Sequence, residues 1–206
     1  MKTALNILCF LLVFLPIFGL GQSVQFERLT KKEGLPRAHI SEILKDKQGF
    51  IWVGTTDGLY RYDGKTSVEF RHNPKDTNSL SNNSILSLFE DSKGNIWVGT
   101  RQGLNRYSIE DQSFKRFDSK NYIHTILEDR KGIFWYGTYY GLYRLDIATG
   151  DLMNFQPQIE NPNSLTHEVV WEIFEDSGGR LWFGPSNNCP HPSLGRRRAS
   201  RTGHSV

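Results

Sequence analysis

Hydrophobic and polar residues alternate in short runs along most of this chain, and turn-forming residues close each run. One unit reads ILSLFED, SKG, NIWVGT, RQG, LNRY, SIEDQ and SFKRF, with β-branched and aromatic residues in the runs and Gly, Asp, Asn or Ser between them. Such runs of about four to seven residues are typical of strands joined by tight hairpins. The pattern predicts four antiparallel strands per unit, and no long amphipathic helix competes with this interpretation.

The unit recurs, and each copy is built around one tryptophan. Three near-copies and a shorter fourth one stand at residues 45–62, 90–107, 128–145 and 175–184. Their tryptophans, Trp52, Trp97, Trp135 and Trp182, are 45, 38 and 47 residues apart. However, the step from the preceding apolar anchor residue to the tryptophan is 12 each time for the anchors Ile85, Ile123 and Val170. The constant parts therefore predict regular structure, and the varying connection predicts a loop.

Four-stranded antiparallel units at a repeat of roughly 40 to 50 residues are typical of a β-propeller, in which each unit forms one blade. The predicted fold class is all-β, with propeller blades in an incomplete ring of about three and a half blades. The repeats occupy residues 22–185, with blades near 40–70, 85–117 and 123–155 and a partial blade at 169–184. Val24 to Leu29 are predicted to form the fourth strand of a blade whose other strands are missing from this sequence.

Aspartates, glycines and tryptophans recur at fixed places in the units, and we expect them to be structural. The aspartate oxygens are expected to cap their own hairpins, and the glycines that follow are expected to provide positive φ. The tryptophans are expected to pack against a neighbouring blade. The motif residues are Asp46, Gly49, Trp52, Gly54, Gly58, Asp91, Gly94, Trp97, Gly99, Gly103, Asp129, Gly132, Trp135, Gly137, Gly141, Asp176, Gly179, Trp182 and Gly184.

The two ends of the sequence depart from the repeats. Residues 1–21 combine Lys2, an apolar stretch and small residues at Gly19 and Gly21, which predicts a secretory signal peptide cleaved before Gln22. An uncleaved membrane anchor is the alternative. Residues 186–206 contain no aromatic residue and predict a disordered tail. This abrupt loss of the pattern favours a truncated or frame-shifted reading frame, and a regulatory segment around RRRAS is the alternative.

Charge and cysteine content restrict the function of the repeat region. The formal net charge is +3, but five of the basic residues lie in the two ends, and without them 20 basic residues face 22 acidic ones. The repeat region is therefore not expected to bind nucleic acid. It contains no cysteine between residues 22 and 185. An exported domain of this kind must be held by its core and strand pairing without disulfides.

The repeat units resemble the two-component regulator propeller family over residues 23–184, through segments such as NSLSNNSILSLFEDSKGNIWVGTRQGLNRY and YIHTILEDRKGIFWYGTYYGLYRLD. The resemblance implies the periplasmic sensor region of a hybrid two-component histidine kinase, as found in Bacteroidetes. By the same resemblance the ligand would be an oligosaccharide, the intact sensor would be anchored in the inner membrane, and a homodimer would form through the full-length protein. The sequence itself contains no phosphoacceptor histidine in a helical pair and no glycine-rich ATP-lid motif.

Catalytic chemistry has little support in the sequence, and no cofactor is expected. The four motif aspartates resemble the aspartate boxes of some glycosidase propellers, but they occupy equivalent turns around the ring and would not converge on one bond. The six histidines show no close ligand spacing, so no metal site is predicted. We therefore expect a non-enzymatic, ligand-sensing propeller. The alternatives are a secreted propeller enzyme acting on polysaccharide and a scaffold or interaction module.

Exposed aromatic residues on loops are the natural candidates for ligand binding. Tyr139 and Tyr140 replace Thr56-Asp57 and Arg101-Gln102 of the other units, so the repeat does not require them. Tyr122 lies in the shortest connection between units. We predict Tyr122, Tyr139 and Tyr140 as ligand-binding residues, with packing as the alternative role for each.

Overall fold

The computed structural model describes Gly34 and residues 38–118 and 120–184 of the chain. In this part of the chain, all regular secondary structure consists of β-strands. The strands are β1 Ile40–Lys45, β2 Ile51–Thr55, β3 Gly58–Tyr62, β4 Ser67–Phe70, β5 Ile85–Glu90, β6 Ile96–Thr100, β7 Gly103–Ser108, β8 Ser113–Asp118, β9 Thr125–Glu128, β10 Phe134–Thr138, β11 Gly141–Leu145, β12 Leu152–Phe155, β13 Glu172–Glu175 and β14 Leu181–Gly184. The predicted leader, tail and Val24–Leu29 strand lie outside the described residues and stay predictions.

Neighbouring strands pair antiparallel in chain order and form four separate sheets. Blade 1 (β1–β4), blade 2 (β5–β8) and blade 3 (β9–β12) have four strands each, and the described part of blade 4 has two, β13 and β14. The prediction of an all-β fold built of four-stranded antiparallel blades is confirmed.

The second strand of each blade has two sides with different neighbours, because side chains alternate across a strand. One side, called here the tryptophan face, carries Trp52, Trp97, Trp135 or Trp182. The other side, called here the opposite face, carries Val53, Val98, Tyr136 or Phe183. The tryptophan face of each of the first three blades packs against the opposite face of the next blade.

The hydrophobic core therefore lies between blades and not within them. Trp52 is fully buried between its own blade and blade 2, where its ring centroid is 5.2 Å from that of Tyr107. Trp97 is fully buried 4.6 Å from Phe134 of blade 3. Burial of such large aromatic side chains supplies much of the stabilisation of a cysteine-free fold. Each blade consequently depends on its neighbour for its core.

Glycine gives two kinds of turn the backbone conformation that they need. Gly94, in the turn between β5 and β6, has φ 84°, and Gly103, at the start of β7, has φ 120°. Residues with a Cβ are strained at such angles. The equivalent glycines of the other blades have positive φ as well.

Candidate functional site

The turns between the second and third strands hold themselves together through a threonine side chain. In blade 3, Thr138 Oγ1 accepts a hydrogen bond from Tyr140 N at 2.9 Å and donates one to Gly141 O at 3.0 Å. Thr55 and Thr100 make the same pair of bonds in blades 1 and 2. The side chains of the two central turn residues take no part in this arrangement. They are therefore available for other contacts.

Backbone contacts place the start of each blade beside the turn of the blade before it. Val170 N donates a hydrogen bond to Thr138 O at 2.9 Å, and Ile123 N donates one to Thr100 O at 3.0 Å. The residue after the anchor therefore emerges next to the preceding turn. In blade 4 this residue is Trp171, whose ring centroid lies 5.8 Å from that of Tyr139 in blade 3.

Four aromatic side chains meet at this end of blades 3 and 4, and we call them the aromatic cluster: Tyr122, His124, Tyr139 and Trp171. Ring centroids are 5.3 Å apart for Tyr122 and Tyr139, 4.6 Å for His124 and Tyr139, and 3.9 Å for His124 and Trp171. Between 37% and 39% of Tyr122, Tyr139 and Trp171 remains exposed. The cluster thus offers several aromatic surfaces to solvent across a junction between two blades.

The imidazole of His124 is electrically neutral in this setting. Burial lowers the pKa of His124 to about 4, well below its ordinary value. Its Nε2 atom is buried and has no hydrogen-bond partner among the described residues. Because a charged ring would be poorly solvated there, the cluster presents an uncharged aromatic surface near neutral pH.

The structure treats the three predicted tyrosines differently. It brings Tyr122 and Tyr139 together in the aromatic cluster, whereas Tyr140 lies on the same turn, is 58% exposed and makes none of the ring contacts of the cluster. Its carbonyl accepts a hydrogen bond from Gln156 Nε2 at 3.2 Å. A ligand-binding role for these tyrosines stays a prediction.

The sequence analysis missed His124 and Trp171. Both residues occupy the same place in their repeat, directly after the anchors Ile123 and Val170, where blade 2 has Leu86. Aligning the units on their anchors would have revealed two rings at equivalent positions of consecutive blades. That alignment was the available signal.

The motif aspartates lie at the other end of the blades, and their oxygens are engaged locally. Asp91 Oδ1 accepts hydrogen bonds from Lys93 N at 3.0 Å and Asn95 N at 2.8 Å, and Oδ2 accepts one from Trp97 Nε1 at 2.9 Å. The aspartates of the other blades, Asp46, Asp129 and Asp176, make the same set of contacts. These contacts tie each turn to the tryptophan of its own blade. In Asp176, the hydrogen bonds from Arg180, Trp182 and Gly178 lower the pKa of the carboxyl group.

Residues 38–118 and 120–184 contain no group of three or more His, Cys, Asp or Glu side chains placed to hold a metal ion. They also contain no helix of sufficient length and apolar character to cross a membrane.

Comparison with known proteins agrees with the architecture. The sequence profile of the two-component regulator propeller family matches four stretches, at residues 34–57, 79–102, 118–140 and 164–187. Histidine kinase P4 of Formosa agariphila is 43% identical over 56 residues, which are 27% of this chain and 4% of that protein.

Two solved structures resemble the fold over most of this chain. Both are extracellular domains assigned to hybrid two-component systems of B. thetaiotaomicron. One is 30% identical with a TM-score of 0.67 and covers 75% of this chain and 21% of its own. The other is 29% identical with a TM-score of 0.66 and covers 77% of this chain and 23% of its own. This chain therefore spans less than a quarter of the length of these relatives.

The blades and their packing define a protein of the β-propeller class. Within that class, the four profile matches and the related extracellular domains place the chain in a single family. It belongs to the two-component regulator propeller family.

Proposed function

We propose that this chain is a ligand-sensing, periplasmic part of a hybrid two-component histidine kinase and that the aromatic cluster binds a sugar ring of an oligosaccharide. Membership of the family and the related extracellular domains of hybrid two-component systems support the first part. The observation that carries the second part is the exposed, uncharged cluster of Tyr122, His124, Tyr139 and Trp171. Aromatic faces provide large and rigid contact surfaces for the apolar faces of sugar rings.

The position of the cluster suggests how binding would be transmitted. Tyr139 belongs to blade 3 and Trp171 to blade 4, so a ring lying on both would stabilise the junction of the two blades. A ligand that binds one arrangement of the blades better than another shifts their equilibrium by its difference in affinity. In the full-length sensor, which we propose to be a membrane-anchored dimer, this shift would pass to the kinase region.

Binding of soluble oligosaccharides to purified wild-type and variant chains tests this proposal. A panel of β-glucan, xylan, mannan and alginate oligosaccharides would be screened by isothermal titration calorimetry. We expect at least one of them to bind, and Tyr139→Ala and Trp171→Ala to weaken that binding about tenfold or more, since each removes a stacking surface. Arg101→Ala is the matched control, because Arg101 occupies in blade 2 the turn position that Tyr139 has in blade 3. Absence of binding across the panel, or equal loss in the control, would contradict the proposal.

We further propose that this region binds glycans without cleaving them. The support is that both oxygens of Asp91 and of its equivalents accept hydrogen bonds from the turn and the tryptophan of their own blade, so their hydrogen-bonding capacity is used within the fold. The same oligosaccharides, incubated with the purified chain, should show no new reducing ends. Turnover that Asp91→Asn abolishes would favour the enzyme alternative.

A further inference from the structure

In each of the first three blades, a glycine on the tryptophan face contacts the anchor residue of the next blade. A Cβ atom built on Gly54 would lie 2.7 Å from Cγ2 of the anchor Ile85. One on Gly99 would lie 2.7 Å from the carbonyl oxygen of the anchor Ile123, and Gly137 stands in the same relation to Val170. Real Cβ atoms do not approach neighbours so closely. The glycine thus creates the space that the next anchor fills.

A glutamate makes a second contact at every one of these junctions. The carboxylate of Glu90 accepts hydrogen bonds from Lys47 N at 3.0 and 3.2 Å. Glu128 accepts one from Ser92 N at 2.6 Å, and Glu175 accepts one from Arg130 N at 3.0 Å. We call Glu90, Glu128 and Glu175 the interblade glutamates. Each ends the first strand of its blade, five residues after the anchor, and binds the N–H that follows the turn aspartate of the preceding blade.

Blade 4 has the residues that, in blades 1 to 3, contact the next blade: a glycine on the tryptophan face and an N–H after the turn aspartate. Among the residues that the structure describes, a Cβ on Gly184 would meet only Glu172 Cβ, at 3.4 Å, so none of them fills the space that an anchor occupies at the other junctions. Ser177, which follows the turn aspartate, has an N–H that donates to no acceptor among the described residues. Phe174 on the same face is 59% exposed. The surface continues, in composition and geometry, the three junctions already formed.

Blade 1 has the anchor residue that would contact a preceding blade, but it lacks the interblade glutamate. Ile40 stands at the anchor position, 52% exposed, but Lys45 stands where the other blades have an interblade glutamate. The pairing of Lys45 with Ile51 matches that of Glu90 with Ile96, so the two residues are structurally equivalent. An ammonium group has three donors and no acceptor. Lys45 therefore cannot accept a hydrogen bond from the Ser177 N–H.

We infer that the tryptophan face of blade 4 is a docking surface for a further propeller blade that has a β-branched aliphatic anchor and, five residues later, a glutamate. Lys45 keeps blade 1 of a second copy from occupying that surface. The interblade glutamate thus acts as a pairing determinant: it selects which blade can follow which. Charge-assisted hydrogen bonds to backbone N–H groups are stronger than neutral ones, so a single position can bias the choice.

Replacing Lys45 by glutamate gives blade 1 of a second copy both features that we infer for the docking partner, the anchor and the glutamate. Sedimentation velocity of the full chain would be recorded over a concentration series for the wild type, Lys45→Glu and Lys45→Met. The methionine variant removes the charge without adding an acceptor. We expect Lys45→Glu to associate at about tenfold lower concentration than Lys45→Met, and the wild type to associate no more readily than Lys45→Met.

Two second-site changes separate docking from unspecific association. Ser177→Pro removes the N–H at a turn position that suits proline, and Gly184→Ala places a Cβ where the anchor would pack while making only an ordinary contact, at 3.4 Å, within its own blade. Either change in the Lys45→Glu background should return association to the level of Lys45→Met. Equal association of Lys45→Glu and Lys45→Met, wild-type association as tight as that of Lys45→Glu, or indifference to both second-site changes would overturn the inference.

Discussion

At the scale of single residues, the aspartate of each unit links a turn to the core. Asp91 is almost fully buried and joins two backbone N–H groups to the indole of Trp97, which is itself fully buried. With the side-chain amide of Asn95, which donates to Oδ2 at 2.8 Å, the carboxylate therefore satisfies four donors. A carboxylate in this place has more effect on stability than one that caps an exposed turn.

Asp91→Ala should lower the free energy of unfolding by about 3 kcal/mol, because it leaves buried donors without a partner. Urea titration followed by tryptophan fluorescence would measure the loss. Asp63→Ala is the control, since Asp63 accepts hydrogen bonds from Lys65 N and Thr66 N in a comparable but exposed turn. A similar loss in both variants would show that the link to Trp97 adds nothing.

His124 should make the folded state sensitive to acid. Its pKa is about 4 in the folded chain because of burial, against about 6.5 when exposed. Between these values the unfolded chain binds a proton that the folded chain does not bind, so stability is complete above about pH 6.5 and falls as the pH is lowered towards about 4. Thermal melting at several pH values should show a smaller acid-induced decrease in Tm for His124→Phe than for the wild type. His39→Phe, at an exposed position, is the control and should show the same acid-induced decrease in Tm as the wild type. A decrease in His124→Phe as large as that in the control would contradict this role.

At the scale of strands and blades, close approach at the glycines decides how tightly blades pack. Gly99 and Gly184 hold the same place in blades 2 and 4, but only Gly99 is covered by a following anchor. A Cβ at Gly99 would clash with Ser87 Oγ and with the backbone of Ile123, whereas a Cβ at Gly184 would meet ordinary contacts.

Gly99→Ala should therefore destabilise the chain by about 3 kcal/mol through overpacking of the junction between blades 2 and 3. Gly184→Ala, the matched substitution at the uncovered position, should change stability little. Denaturant unfolding of both variants provides the comparison. Comparable stability of the two would mean that the junction yields to an added methyl group.

The strands of this fold were predictable from sequence, but the site at the junction of blades 3 and 4 was only partly so. Periodic runs and turn glycines are local signals, and they specify β6 or β10 without knowledge of the neighbouring blade. The proximity of Trp171 to Tyr139 instead depends on the hydrogen bond from Val170 N to Thr138 O, which joins two blades. Tyr122 and Tyr139 could be proposed because they depart from the repeat. His124 and Trp171 emerge only when the units are aligned on their anchors.

At the scale of the whole molecule, stability is distributed along a row of blades. In a repeat architecture each unit is stabilised mainly by its neighbours. Blade 2 has a neighbour on both faces, and all five residues of β6, Ile96–Thr100, are buried. All four residues of β14, Leu181–Gly184, are only partly buried.

Hydrogen exchange followed by mass spectrometry should therefore show a gradient along the chain. Amides of Ile96–Thr100 are expected to exchange at least about tenfold more slowly than those of Leu181–Gly184, because opening of blade 2 disrupts two junctions. Uniform protection across both strands would indicate that the blades open together as one cooperative unit.

The threonine-held turns also have an evolutionary consequence. Because Thr55, Thr100 and Thr138 fix the loop from within, mutation can exchange the pairs Thr56-Asp57, Arg101-Gln102 and Tyr139-Tyr140 without changing the scaffold. Under the proposed function, recognition and folding would rest on separate residues, so selection for a new ligand would not be opposed by loss of stability. Each added copy of the unit brings another such pair, and gene duplication enlarges the repertoire of surfaces while the frame is inherited intact.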